Sequence, residues 1–409
     1  MDDYTPSMLF GKKTNTQRIY MDYASTTPLD AKVFKIMEKI LEKNFHNPSS
    51  LYNEGVESKK ILEGAREKVA RTIKARTEEI FFTGSGTEAD NIAVRGIFNY
   101  FKKERSSEKI HIVTSTIEHP AIIETCRQIE KEGGMVTYVA PEEDGVVSVE
   151  KIIQSLTPDT VLVSLMLVNN EIGTIQPIRE LSRALQVWKK DLGIGTTVAP
   201  FLHTDASQAP VYYSVGVEKL GADLITLDGS KIYGPKGVGC LFKKHYVPCE
   251  PIIFGGGQEF GLRAGTENLP QIVGFAEAFA MAQNDFVKES ESATLLREYF
   301  FEQLLELSEK ISRKIEINGS REKRIANNIS ICISDLDAEF AVIQLNEKGI
   351  ACASMTACRN LDDNSSSYVI ESLGKKECAT STLRFTLGKS TTKKEIDKVI
   401  SAIQSILSK

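Results

Sequence analysis

The 409-residue sequence has no long apolar run, no tract of one charge and no cysteine or histidine spacing typical of a metal site. No apolar stretch approaches the roughly 18 residues that a membrane-spanning helix requires, and the N-terminal MDDYTPSMLF has no basic region followed by an apolar one. We therefore expect no membrane segment and predict a cytoplasmic location. The net charge of -5 and the scattered basic residues argue against nucleic-acid binding, so small-molecule chemistry is the better expectation.

Cysteine is also scarce, with seven residues, an odd number, and no CxxC pair. The five histidines show neither HxxxH nor HxH spacing. We expect neither a disulfide framework nor a zinc site, and we predict that most of the cysteines are small buried hydrophobic residues.

Apolar runs instead alternate with amphipathic segments. Apolar spacings of three and four predict helices in AKVFKIMEKILEK (31–43) and SKKILEGAREKVARTI (58–73). Such alternation favours a largely parallel sheet covered by helices. The runs that predict buried strands are KIHIVTS (109–115), MVTYVA (135–140), TVLVSLMLV (160–168), PFLHTD (200–205) and ADLITLDG (222–229).

The pattern changes after GGGQEFGLRAGTEN (255–268). A long helical stretch is followed by the strand-like KIEING, NISICIS and STLRFTLG and by a closing helix, TKKEIDKVISAIQSILSK. We predict a large α/β domain over residues 18–275 and a smaller α+β domain over residues 276–409, with residues 1–17 packing near the smaller one.

Polar residues follow the apolar runs, at the edge where open α/β sheets bind ligands. After IFFT comes GSGTEADN (84–91), whose small residues and first helical turn would suit a phosphate. The alternative is a plain strand-to-helix turn capped by Thr87. His119 in TIEHP could stack on a flat aromatic ligand or relay a proton, or it could be a satisfied histidine at a helix start.

Two further residues stand at strand ends. Asp205 closes a buried strand, so its carboxylate needs a cationic partner, either a protein side chain or a protonated ring nitrogen of a cofactor. Lys231 follows the next strand in LITLDGSKIYGPKG, where a solvated lysine is not expected. A lysine that bonds an aldehyde, an aspartate that keeps a ring nitrogen protonated, a phosphate-type turn and a histidine together describe a site for pyridoxal 5′-phosphate.

The chain resembles the NifS/IscS-type cysteine desulfurases, of the class V aminotransferase branch of fold-type I pyridoxal-phosphate enzymes. The resemblance runs from YMDYASTTPLD (20–30) to TLRFTLGKSTTKKEID (382–397). It implies a large, mostly parallel seven-stranded sheet domain and a smaller α+β C-terminal domain. The motifs, in the family's order, are MDYASTTP, NPSS, GTEADN, EHP, NNEIG, HTDASQ, GSKIYGPKG, RAGTEN and RFTLG.

The resemblance also implies an activity, the conversion of L-cysteine to L-alanine with transfer of the sulfur to an active-site cysteine as a persulfide. Lys231 would be the Schiff-base lysine, Asp205 would pair with the pyridine nitrogen, and His119 would stack on the ring and help to shuttle protons. Thr266 would contact the cofactor phosphate of the other subunit, which implies a homodimer with shared sites.

Further cofactor contacts come from the same resemblance. Gly86, Thr87 and Ser230 would hold the phosphate. Asn170 and Gln208 would contact the phenolic oxygen of the ring.

Substrate residues are implied in the same way. Arg384 matches the arginine that clamps the substrate α-carboxylate, for which a guanidinium fork is well suited, although a buried structural ion pair is the alternative. Asn47 and Asn170 would lie near that carboxylate. In the cysteine-bearing loop, Cys358 would be the catalytic thiol and Cys352 a core residue.

One departure from the family concerns the turn before Lys231. The family usually has histidine before this lysine and serine two positions earlier, where this chain has Ser230 and Asp228. Because a carboxylate repels a phosphate, we expect Asp228 either to turn to a cation or to weaken cofactor affinity.

The partners implied are L-cysteine, a second copy of the chain, and a sulfur acceptor such as an iron-sulfur scaffold or a tRNA-thiolation enzyme. Two other functions stay open at this stage. One is another class V lyase or aminotransferase in which Cys358 is incidental, and the other is a catalytically impaired scaffold that keeps the fold.

Overall fold

The computed structural model describes residues 18–105, 109–354 and 366–408. Its strands are β1 (Ile19–Tyr20), β2 (Ile80–Thr83), β3 (His111–Ser115), β4 (Met135–Val139), β5 (Thr160–Ser164), β6 (Phe201–Asp205), β7 (Leu224–Asp228), β8 (Gly239–Lys243), β9 (Ile315–Ile317), β10 (Asn328–Ile333), β11 (Ile350–Ala351) and β12 (Thr382–Thr386). Its helices are α1 (Ala31–Lys43), α2 (Asn53–Ile73), α3 (Gly86–Glu104), α4 (Pro120–Lys131), α5 (Val149–Gln154), α6 (Ile178–Asp191), α7 (Val217–Leu220), α8 (Leu269–Ile311), α9 (Ala338–Glu347), α10 (Tyr368–Ser372) and α11 (Lys393–Leu407).

A seven-stranded sheet forms the centre of the larger part of the molecule, in the order β2-β8-β7-β6-β5-β3-β4. Strands β4, β3, β5, β6 and β7 run parallel, whereas β8 runs antiparallel to both β7 and β2. The strands at the centre are buried along their length because helices cover both faces of the sheet. The predicted fold class is therefore confirmed, as is the predicted α1.

The smaller part contains an antiparallel sheet in the order β12-β10-β9. It packs on a second hydrophobic core that includes Phe300, Phe301 and Phe385. The 43-residue α8 joins the two parts, since Phe275 and Phe279 pack in the core of the larger one and Phe300 in that of the smaller one. The boundary predicted at residue 276 falls near the start of this helix.

One disulfide departs from the expectation for the cysteines. Cys332 of β10 is bonded to Cys378, whose short 3-10 helix lies 46 residues further along the chain. Spacing in sequence cannot reveal such a pair, because the fold brings the two Cα atoms to 5.3 Å. Cys126, Cys240 and Cys352 are buried, as predicted for most of the cysteines.

The described ranges lack both a membrane-spanning helix and a metal-binding cluster. Within them, no helix has the length and apolarity needed to cross a membrane. The same ranges contain no group of three or more His, Cys, Asp or Glu residues placed to bind a metal ion.

A buried ion pair ties α2 to the glycine-rich segment 255–268. Arg66, which is 1% exposed, donates from Nη1 and Nη2 to the two carboxylate oxygens of Glu259 at 2.7 and 2.8 Å. Arg66 Nη1 also donates to the Ile80 carbonyl, and Glu259 accepts from the Phe82 backbone N–H. The pair thus fixes this segment against the β2 edge of the sheet.

Candidate active site

A cavity of about 160 Å³ lies at the carboxyl ends of the parallel strands and at the N terminus of α3. This is the edge at which sheets of this kind bind ligands. Eight predicted site residues line the cavity: Gly86, Thr87, His119, Asn170, Asp205, Gln208, Lys231 and Arg384. Ala24, Ser25, Asp90, Met166, Val168, Ser207 and Asp228 line it as well.

A larger cleft, of about 760 Å³, lies between α2 and α8. Its lining includes surface charges that pair with each other, such as Lys68 and Glu277 at 2.6 Å. The smaller cavity is the better candidate because it gathers a lysine amine, a strand-terminal carboxylate and an imidazole around one space.

Lys231 reaches the cavity from the short 3-10 helix Gly229–Lys231, directly after β7. Its amine donates a hydrogen bond to the Ser25 carbonyl of the N-terminal segment. A Cβ at position 229 would lie 2.7 Å from the Pro235 carbonyl oxygen, so only glycine fits this tight turn. The turn therefore presents the lysine side chain while its backbone packs closely on itself.

His119 is the N-cap of α4, and its Nδ1 accepts the backbone N–H of Ala121 at 3.2 Å. Burial lowers the pKa of His119, and the nearby Lys231 lowers it further, against the opposing charge of Asp205. The imidazole is therefore neutral near pH 7, with its proton on Nε2. Both predictions for His119 are compatible, since the residue caps a helix and also lines the cavity.

The residue before it, Glu118, is fully buried and holds the turn in place. Its carboxyl group accepts from the Ser115 hydroxyl at 2.6 Å and from the Met166 backbone N–H at 3.0 Å. Burial raises the pKa of Glu118 to about 8, although these hydrogen bonds oppose the shift. Glu118 thus links the ends of β3 and β5 beneath the cavity.

Asp205 and Asp90 give the cavity an acidic wall. Asp205 Oδ1 accepts from the Ser207 backbone N–H at 2.9 Å. Asp90, on the buried face of α3, is 1% exposed, and burial together with Asp205 raises its pKa well above the usual range. The sequence prediction missed Asp90, although an acidic residue among Ala89, Ile92 and Ala93 was a signal.

The buried ion pair that was the alternative for Arg384 is present, whereas its role towards a substrate carboxylate stays a prediction. Its Nη2 donates to Asp22 Oδ1 at 2.8 Å and to the Ser25 hydroxyl at 3.1 Å, while Nη1 donates to the Asn170 carbonyl at 2.9 Å. The buried ion pair with Asp22 is therefore present, yet Arg384 also lines the cavity. Neither Asp22 nor Ser25 was predicted, because both contacts join residues more than 350 positions apart.

The turn at the start of α3 is capped by Ser85, whose hydroxyl accepts from the Glu88 backbone N–H. The alternative with Thr87 as the cap is therefore wrong. Asp228 faces this turn, and its Oδ2 accepts the Gly86 backbone N–H at 2.8 Å. Its Oδ1 accepts from the backbone N–H and hydroxyl of Ser230, so Asp228 has not turned to a cation.

Three predicted residues of the described ranges, Ser230, Asn47 and Thr266, do not line the cavity. Ser230 is turned towards Asp228, and Asn47 and Thr266 are exposed on the surface of the single chain. Cys358 lies outside the described residues. Cys352 is buried, and burial raises its pKa to about 12, as suits the predicted core position.

The residues that flank Cys358 in sequence are tied to the site. Ala353 forms an antiparallel bridge with Arg384, with backbone hydrogen bonds of 3.1 and 2.7 Å. The Ser367 hydroxyl donates to Glu171, which follows Asn170 in the NNEIG motif. Both flanks are thus bonded to residues at the cavity or adjacent to it.

Pyridoxal 5′-phosphate fits most of this arrangement. Asn170 Oδ1, Asp90 Oδ1 and Arg384 Nε are buried and have no hydrogen-bond partner within the described ranges, so a polar ligand could satisfy them. The lysine amine, the carboxylate and the helix N terminus suit an aldehyde, a ring nitrogen and a phosphate, respectively. Asp228 opposes the phosphate, because its carboxylate already accepts the Gly86 backbone N–H.

The chain is similar in sequence and in structure to known proteins. The family model for class V aminotransferases matches residues 19–399. A cysteine desulfurase IscS from Dictyoglomus turgidum is 37% identical over 394 residues, covering 96% of this chain and 95% of that protein. A solved structure of a NifS-like protein has a TM-score of 0.86 at 32% identity and covers 96% of this chain and 100% of its own.

A second solved structure, of SspA in complex with cysteine, has a TM-score of 0.73 at 29% identity, with coverage of 90% of this chain and 98% of its own. The likeness to both solved structures extends over the larger and the smaller part of the molecule. The chain belongs to the class V aminotransferase family and, within it, to the cysteine desulfurases, which are enzymes that use pyridoxal 5′-phosphate.

Proposed function

We propose that this chain removes sulfur from L-cysteine, releasing L-alanine and leaving the sulfur on Cys358 as a persulfide. The observation that carries the proposal is the placement of Lys231, Asp205, His119 and Arg384 around one cavity. When bound, pyridoxal 5′-phosphate supplies a ring that accepts electrons from the substrate. The similarity to SspA in complex with cysteine supports cysteine as the substrate.

Each residue of the site has a separate role in the reaction. Asp205 would hold a proton on the ring nitrogen, and the Lys231 amine would hold the cofactor and would take the substrate α-proton as a base. His119 would lie against the ring, with the Nε2–H of its neutral imidazole available to donate. Gly86, Thr87 and Ser230 would hold the phosphate, and Asn170 and Gln208 would contact the phenolic oxygen.

Arg384 binds the substrate α-carboxylate, with Asn47 and Asn170 near it. Asp22 and Ser25 already hold Nη2, which leaves Nε as the donor without a partner within the described part of the chain. The ion pair therefore orients the guanidinium and does not occupy all of its donors.

Cys358 is the nucleophile. Its thiolate attacks the substrate sulfur, so that a sulfur–sulfur bond forms and the carbon–sulfur bond breaks. The electron pair of the broken bond goes to the substrate carbon, which takes up a proton on the way to alanine. The hydrogen bonds of Ala353 and Ser367 attach the flanks of this loop near Arg384 and Glu171.

The active unit is a homodimer, in which Thr266 reaches the cofactor phosphate of the other subunit. Support comes from large apolar side chains exposed on the single chain, with Leu51 96%, Phe254 82% and Phe45 76% exposed. Sedimentation velocity at micromolar concentration should therefore give a mass twice the 45.3 kDa of the chain. A monomer that retains full activity would contradict the shared site.

The persulfide sulfur then passes to an acceptor protein, such as an iron-sulfur scaffold or a tRNA-thiolation enzyme, in the cytoplasm. The IscS name of the relatives supports a role in iron-sulfur cluster assembly. An acceptor would be identified by transfer of labelled sulfur from the loaded enzyme, and failure to label any scaffold or thiolation protein would exclude this role.

The activity is tested by incubating the protein with L-cysteine and dithiothreitol and measuring alanine and sulfide together. We expect equal amounts of the two products, and Cys358→Ala should lower both by at least about a hundredfold without changing the cofactor absorbance. Cys249→Ala is the matched control, since Cys249 is a half-buried cysteine outside the cavity whose thiol donates to the Ile92 carbonyl. Unchanged turnover by Cys358→Ala would favour another class V lyase or aminotransferase.

A further inference from the structure

Asp228 accepts hydrogen bonds from Gly86 and Ser230, two residues that we expect to hold the cofactor phosphate. Its two carboxylate oxygens accept from the Gly86 backbone N–H at 2.8 Å, the Ser230 backbone N–H at 2.7 Å and the Ser230 hydroxyl. Gly86 and Ser230 are two of the three predicted phosphate residues. All three donor groups are neutral, so these bonds leave the negative charge of Asp228 in place.

The position of the carboxylate strengthens this observation. Gly86 is the first residue of the 19-residue α3, where the helix dipole and the free N–H groups attract an anion. A Cβ on Gly86 would lie 3.1 Å from Asp228 Oδ2 and 3.2 Å from the Ser207 hydroxyl, so the two segments pack closely. Asp228 therefore supplies the anion that this helix N terminus attracts.

The surrounding charges give Asp228 a mixed environment. Asp205 and the neutral carboxyl of Asp90 lie on the same cavity, and Lys231 and His119 face it from other elements. Asp90 Oδ1 and Asn170 Oδ1 are at least nine-tenths buried and have no hydrogen-bond partner in the described ranges. The lining thus has unpaired polar atoms that Asp228 does not satisfy and that a polar ligand would contact.

We propose that Asp228 is an internal competitor for the cofactor phosphate. The phosphate gains the donors of Gly86 and Ser230 only when the carboxylate moves away. Cofactor affinity is thereby lower than it would be with serine at this position, and the phosphate contributes little to it. This inference rests on the proposed function, because pyridoxal 5′-phosphate is the ligand.

The test compares pyridoxal 5′-phosphate with pyridoxal, which lacks the phosphate. Both are titrated by absorbance into apo protein of the wild type, Asp228→Ser and Asp228→Asn. We expect the Kd for pyridoxal 5′-phosphate to fall at least about tenfold in both variants, because one like-charge contact is removed. The Kd for pyridoxal should change by less than about twofold, since it carries no charge that meets Asp228.

Asp337→Ser is the matched control, because Asp337 caps α9 through the Phe340 backbone N–H and lies outside the cavity. Asp228→Asn retains an oxygen acceptor for Ser230 and Gly86, so it serves if the serine variant fails to fold by circular dichroism. If the Kd for pyridoxal 5′-phosphate were unchanged in both variants, or if the Kd for pyridoxal fell by the same factor, the proposed role of Asp228 would be wrong. The proposed function would be unaffected by that result. Absence of cofactor binding in every variant would overturn the proposed function as well.

Discussion

Replacing Lys231 with alanine should abolish covalent attachment of the cofactor and lower L-cysteine turnover by at least about a thousandfold. Lys231 is the lysine that lines the cavity, beside Asp205 and His119. No neighbouring lining group offers an amine that could replace it, because the other charged members described are carboxylates, an imidazole and a guanidinium. The loss should be seen as a missing visible absorbance band and a missing adduct on the Lys231 peptide after borohydride treatment.

Lys236→Ala is the matched control for this change. Lys236 lies five residues further along the same turn, and its amine donates to the Thr27 carbonyl at 2.7 Å, much as Lys231 donates to the Ser25 carbonyl. Both variants lose a lysine bond to the N-terminal segment, but only Lys231→Ala removes the amine from the cavity. Equal absorbance and turnover in the two variants would show that Lys231 is not the attachment point.

The strands and the order of the polar residues could be predicted from the sequence because both depend on local pattern. The 3.6-residue periodicity of α1 gave its bounds, Ala31–Lys43, without error. The run over residues 160–168 is continuous and apolar, so its pattern could not show that β5 ends at Ser164. Leu165 and Leu167 nevertheless still donate backbone hydrogen bonds to the β6 residues His203 and Asp205.

Contacts between distant segments could not be predicted in this way. The antiparallel β8 follows a glycine-rich turn, and its pairing with β2 joins residues about 160 positions apart, so no local signal marks it. Arg384 pairs with Asp22, which lies 362 positions away in the chain, so no local signal marks this contact either. The sequence shows Asp228 to be a departure from the family pattern, but only the structure shows that its carboxylate accepts the Gly86 backbone N–H.

Three carboxyl groups lie around the same cavity as Lys231. Asp90, Asp205 and Asp228 line one small cavity, and burial makes it costly for all three to be ionised. Asp90 relieves the repulsion by its raised pKa, since a neutral carboxyl adds no charge. A neutral Asp90 thus lowers the negative charge around Asp205, the residue proposed to pair with the cofactor ring nitrogen.

The substitution Arg66→Met should lower the free energy of unfolding by about 3–5 kcal/mol, because it leaves Glu259 buried without its cation. Both side chains are nearly inaccessible, at 1% and 2% exposure, and the Arg66 guanidinium also packs over the rings of Phe82 and Phe260. Glu259 and Phe260 have positive φ angles of 46° and 56°, so their segment needs such contacts to hold its shape. Urea unfolding monitored by circular dichroism measures the change.

Arg71→Met on the same helix is the matched control. Arg71 pairs with Glu67 at 3.4 Å, but its side chain is 74% exposed, so its loss should change the free energy of unfolding by no more than about 0.5 kcal/mol. The double substitution Arg66→Met with Glu259→Leu should recover much of the loss, because it removes the unpaired charge as well. If Arg66→Met lowered the free energy of unfolding no more than Arg71→Met does, the buried pair would not be what holds segment 255–268. The predicted position of Thr266 at the subunit boundary would then lose its structural support.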